Sequence, residues 1–405
     1  MRSSLSRTRW TAALVTTALA LGACSGDGEP TASDDPIRVG ISLPLTGDFA
    51  EPGKGVQQGY EAWAKITNDK GGLLGRPVEL KILDDQSSAD RVVADYEQLI
   101  GSDEVDLVVG PFSTRLVVPA ARVAEEYGML FVEPAGAAKE VFEQGFKNLF
   151  YAAPAVANDH YNHLADYLLA LPADKRPRTV AYAAMDDPFA QGTAYGLKDK
   201  LEAAGVKTVV NEVYPPNTTD FGSIAAKIAA SRADMLVGGS QYQDGVNLIV
   251  ALQQLNYQPK LAAFSGAPTN PEFAKAIGDK TEGVLSPTGY SADAPYESNK
   301  EFVEKFTAQF GAAPDEDQAN AYTTGQVVAA AVTAVGCAEQ GECQQKLVDW
   351  VHGNTVETVV GPLSWDRTGK PQGAHMIQQW IGGDIKIVLP EPVKEAGFVY
   401  PKPAW

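Results

Sequence analysis

The stretch VDLVVGPFSTRLVVPAARVAEEYGMLFVE (105–133) contains one complete unit of the fold. Residues 105–110 are nearly all apolar, which is typical of a parallel strand covered on both faces. The pattern then predicts a helix over 116–127 and a second strand over 129–133. A strand, a helix and a strand in succession predict two parallel strands joined by a right-handed crossover.

The same alternation continues on both sides of this unit. Further strands are predicted over 37–45, 78–84, 179–184, 208–214, 235–238, 260–264 and 283–290. Further helices are predicted over 55–68, 89–100, 159–171, 189–204, 224–231, 246–255, 299–310 and 319–335. Residues 359–389 have the pattern of short antiparallel strands. We therefore predict an α/β fold with two doubly wound Rossmann-like lobes.

Two lobes of this kind predict one ligand cleft, because ligands bind beyond the carboxyl ends of the strands in open α/β sheets. Ser113 and Thr114 lie at such an end, before the helix of the quoted unit, and a helix N-terminus favours an anion. Ala135, Gly136 and Ala137 follow the next strand, and small residues let a ligand carboxylate approach the backbone. A simple N-cap role for Ser113 or Thr114 is the alternative.

The N-terminus predicts export. Three arginines among the first nine residues precede an uncharged apolar stretch, 10–21, which is shorter than the roughly 20 residues of a spanning helix. The sequence LGAC (21–24) resembles the lipobox of bacterial lipoproteins, which implies a signal peptide over 1–23 and a lipid on Cys24. Residues 24–36 have the composition of a flexible tether. An ordinary secretory signal with a chance cysteine is the alternative.

Composition excludes several classes of function. The chain carries 33 basic and 51 acidic residues, a formal charge of −18, which argues against a nucleic-acid partner. It has no G-x-S-x-G, H-E-x-x-H, P-loop or G-x-G-x-x-G motif. We therefore expect neither an enzyme nor a bound cofactor.

The cysteines and histidines fit an exported protein without a metal. Cys337 and Cys343 are spaced C-x5-C, and outside the cell such a pair is predicted to form a disulfide across a short loop. A metal site would need more ligands. His160 and His163 share a helical face, which is predicted to be solvated surface.

Several short motifs together resemble a known family. They are ISLPLTG (41–47), NDKGGLLG (68–75), LDDQ (83–86), VGPFST (109–114), DDPFAQG (186–192), TDF (219–221), GG (238–239) and EG (282–283). In this order and spacing they resemble the leucine/isoleucine/valine-binding group of type I periplasmic solute-binding proteins. The resemblance covers about residues 37–389.

The resemblance implies that the chain crosses between the lobes three times. Lobe 1 would hold 37–153 and 290–360, and lobe 2 would hold 154–289 and 361–390. Residues 391–405 would form a C-terminal tail. Three hinge crossovers would make closure a rigid-body motion, stabilised by a ligand that touches both lobes.

The resemblance also implies the contacts of a ligand. Thr114, with Ser113 and the backbone N–H groups near Ala135, would bind the carboxylate of an amino acid. The remaining predicted contacts are Phe112 as a wall of lobe 1, with Phe49 as a weaker candidate, and Phe189, Gln241, Tyr242 and Tyr290 opposite.

One departure concerns the ligand amine. Leucine-type receptors carry an acid near the position of Gly266 that pairs with the ligand ammonium, but this chain has none over 262–270. A buried ammonium without a partner is costly. The amine would then be held by Asp186 or Asp187, or by the rings of Tyr242 or Phe189. Alternatively, the ligand is an amide or an aromatic or aliphatic acid without an amine.

The resemblance implies partners as well. Such a receptor delivers a small molecule to an ABC permease driven by ATPase subunits. The lipid would hold it at the outer face of the cytoplasmic membrane. A ligand-sensing subunit of a signalling system is the alternative.

Overall fold

A computed structural model describes residues 35–270 and 272–405. Residues 1–34, with the predicted signal peptide, most of the predicted tether and the predicted lipidation site Cys24, lie outside this described part. Within it, no helix is both long and apolar enough to cross a membrane.

The first lobe begins with a parallel sheet and its helices. The strands are β1 (Ile37–Leu43), β2 (Val78–Asp84), β3 (Leu107–Val109), β4 (Phe131–Glu133) and β5 (Leu149–Tyr151). The helices are α1 (Ala50–Asp69), α2 (Ala89–Glu97) and α3 (Thr114–Glu126). The strand order is β2-β1-β3-β4-β5. Every residue of β1 except Arg38 is buried, as expected of a strand covered on both faces.

The second lobe repeats this design. Its strands are β6 (Thr179–Met185), β7 (Lys207–Tyr214), β8 (Met235–Gly239), β9 (Leu261–Phe264) and β10 (Val284–Thr288). Its helices are α4 (Asn162–Ala170), α5 (Pro188–Ala203), α6 (Gly222–Ser231), α7 (Tyr242–Gln254) and α8 (Phe273–Ile277). These strands are parallel in the order β10-β9-β8-β6-β7.

The chain then returns to the first lobe. The returning elements are α9 (Glu297–Phe310), α10 (Glu316–Val335), α11 (Glu342–Gly353), β11 (Val356–Thr358) and β12 (Gly361–Leu363). Helix α10 packs so closely on α1 that a Cβ at Gly325 would lie 2.2 Å from the ring of Trp63. Only glycine permits this approach, and the core of lobe 1 therefore joins two distant parts of the sequence.

Two last strands complete the second lobe. They are β13 (Met376–Ile381), antiparallel to β10, and β14 (Asp384–Leu389), antiparallel to β13. The α/β fold with two lobes and three crossovers agrees with the expectation from sequence.

The three crossovers meet at one point. A Cβ at Gly289, in the second crossover, would lie 2.8 Å from Cδ of Pro154 in the first. The N–H of Gly373, in the third, donates to the carbonyl of Pro154 at 2.9 Å. The small residues at these positions let the crossovers form one compact hinge.

The predicted position of the third crossover, at residue 360, is wrong. Strand β12 still pairs with β11 in lobe 1. The indole N–H of Trp365 then donates to the carbonyl of Tyr151 at 2.7 Å, which holds this residue in the core of lobe 1. The chain therefore crosses between Trp365 and β13.

The prediction that His160 lies on solvated surface is also wrong. Helix α4 begins only at Asn162, so His160 belongs to the first crossover segment and is buried. Its ring stacks on that of His375 at 3.8 Å, and His375 lies 3.2 Å from Oε1 of Glu316. Glu316 Oε1 also accepts the N–H of Gly289 at 2.9 Å, which ties the hinge to α10.

The structure also describes the cysteine pair and the C-terminal residues. Cys337 and Cys343 form a disulfide between α10 and α11. The C-terminal residues, predicted as a tail, pack on lobe 2, where Lys402 N–H donates to the carbonyl of Lys260 at 2.8 Å.

Candidate functional site

The carboxyl ends of the two sheets meet at Arg115. This residue lies in the first turn of α3 in lobe 1. Its Nη2 donates to the carbonyl of Asp186 in lobe 2 at 3.0 Å, and its Nε lies 3.4 Å from Oδ2 of Asp187. The lobes are therefore in contact across the predicted cleft.

Ser113 lies at the N-terminus of α3 with an unused hydroxyl. It occupies the N-cap position in extended conformation, yet its side chain makes no capping hydrogen bond. The side chain is buried and Oγ has no hydrogen-bond partner among the described residues. An unpaired buried hydroxyl is costly, so this atom is available to a ligand.

Thr114 is the first residue of α3 and is equally buried. Its Oγ1 accepts the N–H of Ala138 at 3.4 Å, a long bond that joins the two loops of the predicted anion site. A groove of about 340 Å³ opens beside Thr114 and runs along α3 toward Pro188 of lobe 2. The two hydroxyls and the helix N-terminus together suit a carboxylate.

The loop after β4 is occupied by the protein's own carboxyl group. The N–H groups of Ala135 and Gly136 both donate to Oε2 of Glu133, the first at 2.7 Å. Burial raises the pKa of Glu133 to about 8, although these two N–H groups favour its charged form. The two N–H groups that were expected to bind the ligand are thus already satisfied within the loop.

The remaining residues of lobe 1 form an apolar wall. The rings of Phe49 and Phe112 meet edge to face with centroids 6.0 Å apart, and both are almost fully buried. Ala137 is buried beside Thr114 and offers no polar side chain. This wall suits an apolar part of a ligand.

Phe189 of lobe 2 lies at the interface of the lobes. It is half-buried on α5, packs against the core of lobe 1, and lies 5.9 Å from the ring of His160. Asp187 caps the same helix, since its Oδ1 accepts the N–H groups of Phe189 and Ala190, each at 3.1 Å. Asp187 is therefore committed to α5 and Arg115.

Gln241 and Tyr242 lie at the start of α7, as expected, and both are half-buried. Burial raises the pKa of the neighbouring Asp187, and the side chain of Gln241 acts in the opposite direction, in favour of the charged carboxylate. Burial raises the pKa of Tyr242, as do the charges of Glu272 and of Glu51 from lobe 1. Tyr242 therefore lies where lobe 2 approaches α1.

Tyr290 lies away from the other predicted contacts. It is buried in the core of lobe 1, where its ring packs on Phe302 and its hydroxyl donates to Oδ1 of Asn299 at 3.0 Å. Its position after β10, next to the hinge, explains why the sequence placed it near the cleft.

Two polar residues of lobe 2, Ser240 and Asp244, were not singled out by the sequence analysis. Both are buried where β8 leads into α7. The signal that could have found Asp244 was an acid in the first turn of the helix that follows a cleft-facing strand.

A model of one family matches most of the chain, residues 36–384, and its description is periplasmic binding protein. The chain belongs to this family. Its members are solute-binding proteins rather than enzymes.

Similar proteins cover nearly the whole fold. A Leu/Ile/Val-binding protein homolog of Brucella abortus is 26% identical over 355 residues, which are 86% of this chain and 91% of that protein. A solute-binding protein of R. palustris, solved with benzoate, has a TM-score of 0.77 at 20% identity and covers 91% of this chain and 98% of its own. A branched-chain amino acid transporter substrate-binding protein of Streptococcus pneumoniae, solved with isoleucine, also has a TM-score of 0.77, at 19% identity over 88% of this chain and 100% of its own.

Proposed function

We propose that this chain is the extracytoplasmic substrate-binding lipoprotein of an ABC importer. It binds a small carboxylate-bearing ligand, an amino acid of the branched-chain type, between its lobes and delivers it to the permease. The observation that carries the proposal is the buried, unpartnered hydroxyl of Ser113 at the N-terminus of α3. This is where a ligand carboxylate would find both a donor and the positive end of a helix dipole.

The proposed contacts come from both lobes. Ser113 and Thr114 bind the carboxylate, and Phe112 with Phe49 covers the apolar side chain. From lobe 2, Phe189, Gln241 and Tyr242 close over the ligand. Closure adds contacts that the open form lacks, so ligand binding favours the closed state.

A second candidate ligand is a carboxylate without an amine. The R. palustris protein was solved with benzoate, and the edge-to-face pair of Phe49 and Phe112 would also suit an aromatic ring. The two candidates differ in one group only, the amine, so one set of probes separates them.

The test is a ligand screen by thermal shift on residues 37–405, confirmed by calorimetry. The set holds the twenty amino acids, the matched carboxylic acids without the amine, and small amides. A ligand that binds the folded state raises the melting temperature. We expect leucine, isoleucine or valine to give the largest shift, whereas no shift with any carboxylate would contradict the proposal.

We also propose that Cys24 carries a lipid that holds the protein near its permease. Replacing Cys24 by Ser removes the sulfur that would be acylated, so the Cys24→Ser protein is expected in the fraction released from membranes. The measurement is fractionation of cells that express each form. Continued membrane association of Cys24→Ser would contradict the lipid anchor.

The transport role and the sensor role make different predictions in cells. Deleting the cognate permease abolishes uptake of the ligand if the protein serves transport. A sensory response that survives this deletion would favour the ligand-sensing alternative.

A further inference from the structure

Two buried polar atoms at the carboxyl edge of lobe 2 have no hydrogen-bond partner among the described residues. They are Oγ of Ser240 and Oδ1 of Asp244. Ser240 is fully buried and Asp244 is 5% exposed. Unpaired buried polar atoms are costly, and two such atoms on neighbouring residues are expected where a ligand completes the hydrogen bonding.

The fold holds Asp244 firmly in place. Its other oxygen, Oδ2, accepts the hydroxyl of Tyr214 at 2.6 Å, and the same hydroxyl lies 3.3 Å from the carbonyl of Gly239. Tyr214 ends β7 and Gly239 ends β8, so the carboxyl group lies at the carboxyl ends of both strands. This is the end of the sheet at which open α/β folds bind ligands.

The residues around the pair are small. A Cβ at Gly245 would lie 2.6 Å from Oγ of Ser240 and 2.7 Å from Cβ of Ala267. A Cβ at Gly266 would lie 2.7 Å from the carbonyl of Ser240. Because Gly245 and Gly266 carry no side chain, the loop after β9 and the first turn of α7 lie close around Ser240 and Asp244.

The other two acids at this edge are already engaged. Asp186 is exposed, and its Oδ1 accepts the side chain of Gln191 at 2.9 Å. Asp187 caps α5 and faces Arg115. Burial raises the pKa of Asp244 to about 6, which leaves it mostly charged at neutral pH.

We propose that Asp244 and Ser240 form a subsite for the cationic amine of the ligand. The ligand is then a zwitterion, with its carboxylate at the N-terminus of α3 in lobe 1 and its ammonium on lobe 2. An ammonium group donates three hydrogen bonds, and Oγ of Ser240 and Oδ1 of Asp244 are two acceptor atoms without a partner. This proposal rests on the proposed function, since it takes the carboxylate to lie on Ser113 and Thr114.

The competing role for Asp244 is structural. It lies in the first turn of α7, where the backbone N–H groups of Gln241, Asp244 and Gly245 and the helix dipole favour its charged form. In that role its removal would lower the stability of the protein and weaken every ligand alike. In the proposed role, its removal weakens only ligands that carry an amine.

The experiment compares ligands that differ in the amine alone. The probes are leucine, isoleucine and valine, each beside the carboxylic acid of the same skeleton without the amine. Calorimetry gives the affinity of each probe for the wild type, Asp244→Asn and Asp199→Asn. Asp199→Asn is the matched control, because it makes the same change at an exposed carboxylate of lobe 2, near the C-terminal end of α5.

We expect Asp244→Asn to weaken binding of the amino acids more than about tenfold, because a charged hydrogen bond is lost from a buried site. The amine-free acids should bind Asp244→Asn and the wild type alike, and Asp199→Asn should change the affinity of neither kind of probe. Ser240→Ala should weaken the binding of the amino acids by a smaller factor. If Asp244→Asn does not fold, Ser240→Ala alone tests the proposed amine subsite.

Two results would overturn this inference alone. One is amino-acid binding that Asp244→Asn and Ser240→Ala leave unchanged. The other is equal weakening of amino acids and amine-free acids. If none of the six probes binds the wild type, the proposed branched-chain ligand fails, and the inference fails with it.

Discussion

The two walls of the cleft are built from the same strand–helix unit but present opposite groups. In lobe 1, α3 begins with the hydroxyls of Ser113 and Thr114, and the helix N-terminus is open. In lobe 2, the corresponding helix N-termini carry acids, Asp187 on α5 and Asp244 on α7. One fold can therefore give one wall suited to an anion and another suited to a cation, because the residues after each strand set the charge.

Each lobe also has a buried acid near its strand ends, and the two acids differ in their charge at neutral pH. Burial raises the pKa of Glu133 in lobe 1 to about 8 and that of Asp244 in lobe 2 to about 6. At neutral pH, Glu133 is mostly protonated, whereas Asp244 is mostly charged. The hydroxyl of Tyr214 favours the charged form of Asp244. The wall that we propose for the ligand carboxylate thus carries little negative charge at Glu133, whereas the opposite wall keeps one at Asp244.

The largest expected effect concerns Glu133 and the stability of lobe 1. Glu133→Ala removes the acceptor of two N–H groups and leaves a cavity, so we expect a loss of about 3 kcal/mol in the free energy of unfolding. Glu133→Gln keeps an acceptor and should lose much less. Urea unfolding measures both. Equal stability of Glu133→Ala and the wild type would show that the loop after β4 does not depend on this carboxyl group.

The same residue predicts a dependence on pH. An acid with a raised pKa binds its proton more tightly in the folded state, so its stabilising contribution falls as pH rises toward the folded pKa. With a pKa of about 8 against a usual 4.5, the wild type should lose about 3 kcal/mol between pH 5 and pH 8 through this group. Glu133→Gln should show a flatter profile over this range.

The next effect concerns the proposed carboxylate site at the N-terminus of α3. Replacing Ser113 and Thr114 together by Ala removes both hydroxyls, so we expect affinity for any carboxylate ligand to fall more than about tenfold. Unlike Asp244→Asn, this double variant should weaken amino acids and amine-free acids equally. Calorimetry with both kinds of probe makes the comparison. Unchanged affinity would contradict the proposal that the ligand carboxylate lies at the N-terminus of α3.

The smallest effect concerns the contact between the walls. Arg115→Ala removes the interactions with Asp186 and Asp187, which join lobe 1 to lobe 2. Because the arginine is partly exposed, we expect ligand affinity to fall only about threefold. Arg122→Ala, an exposed change on the same helix, is the control and should have no effect. An equal loss of affinity in both variants would show that the net charge of the protein, rather than the contact of Arg115 with lobe 2, affects ligand binding.

Much of the fold could be predicted from sequence because its units are local. The strand after Val105, the helix after Ser113 and the strand that ends at Glu133 follow from apolar runs and turn residues close in sequence. Strand β5 was not predicted because it is only three residues long. Helix α11 was not predicted either, and its burial depends on distant partners such as Leu130, whose N–H donates to the side chain of Gln344. Helix α1 also begins earlier than predicted, at Ala50, despite Gly53 and Gly55.

Only part of the candidate site could be predicted, because local patterns can be read from the sequence and contacts between distant residues cannot. Ser113, Thr114, Gln241 and Tyr242 lie at strand ends, as the pattern predicted. Tyr290 lies in the core of lobe 1, because its environment is set by Asn299 and Phe302 rather than by its neighbours in sequence.

The sequence by itself determined the alternating units, the helix N-terminus at Ser113 and the family, because these depend on residues near one another in the chain. Only the tertiary structure decided that His160 stacks on His375, that the third crossover follows Trp365, and that Asp244 is held by Tyr214. These features depend on contacts between residues far apart in sequence. Burial and pairing of that kind exist only once the two lobes have packed.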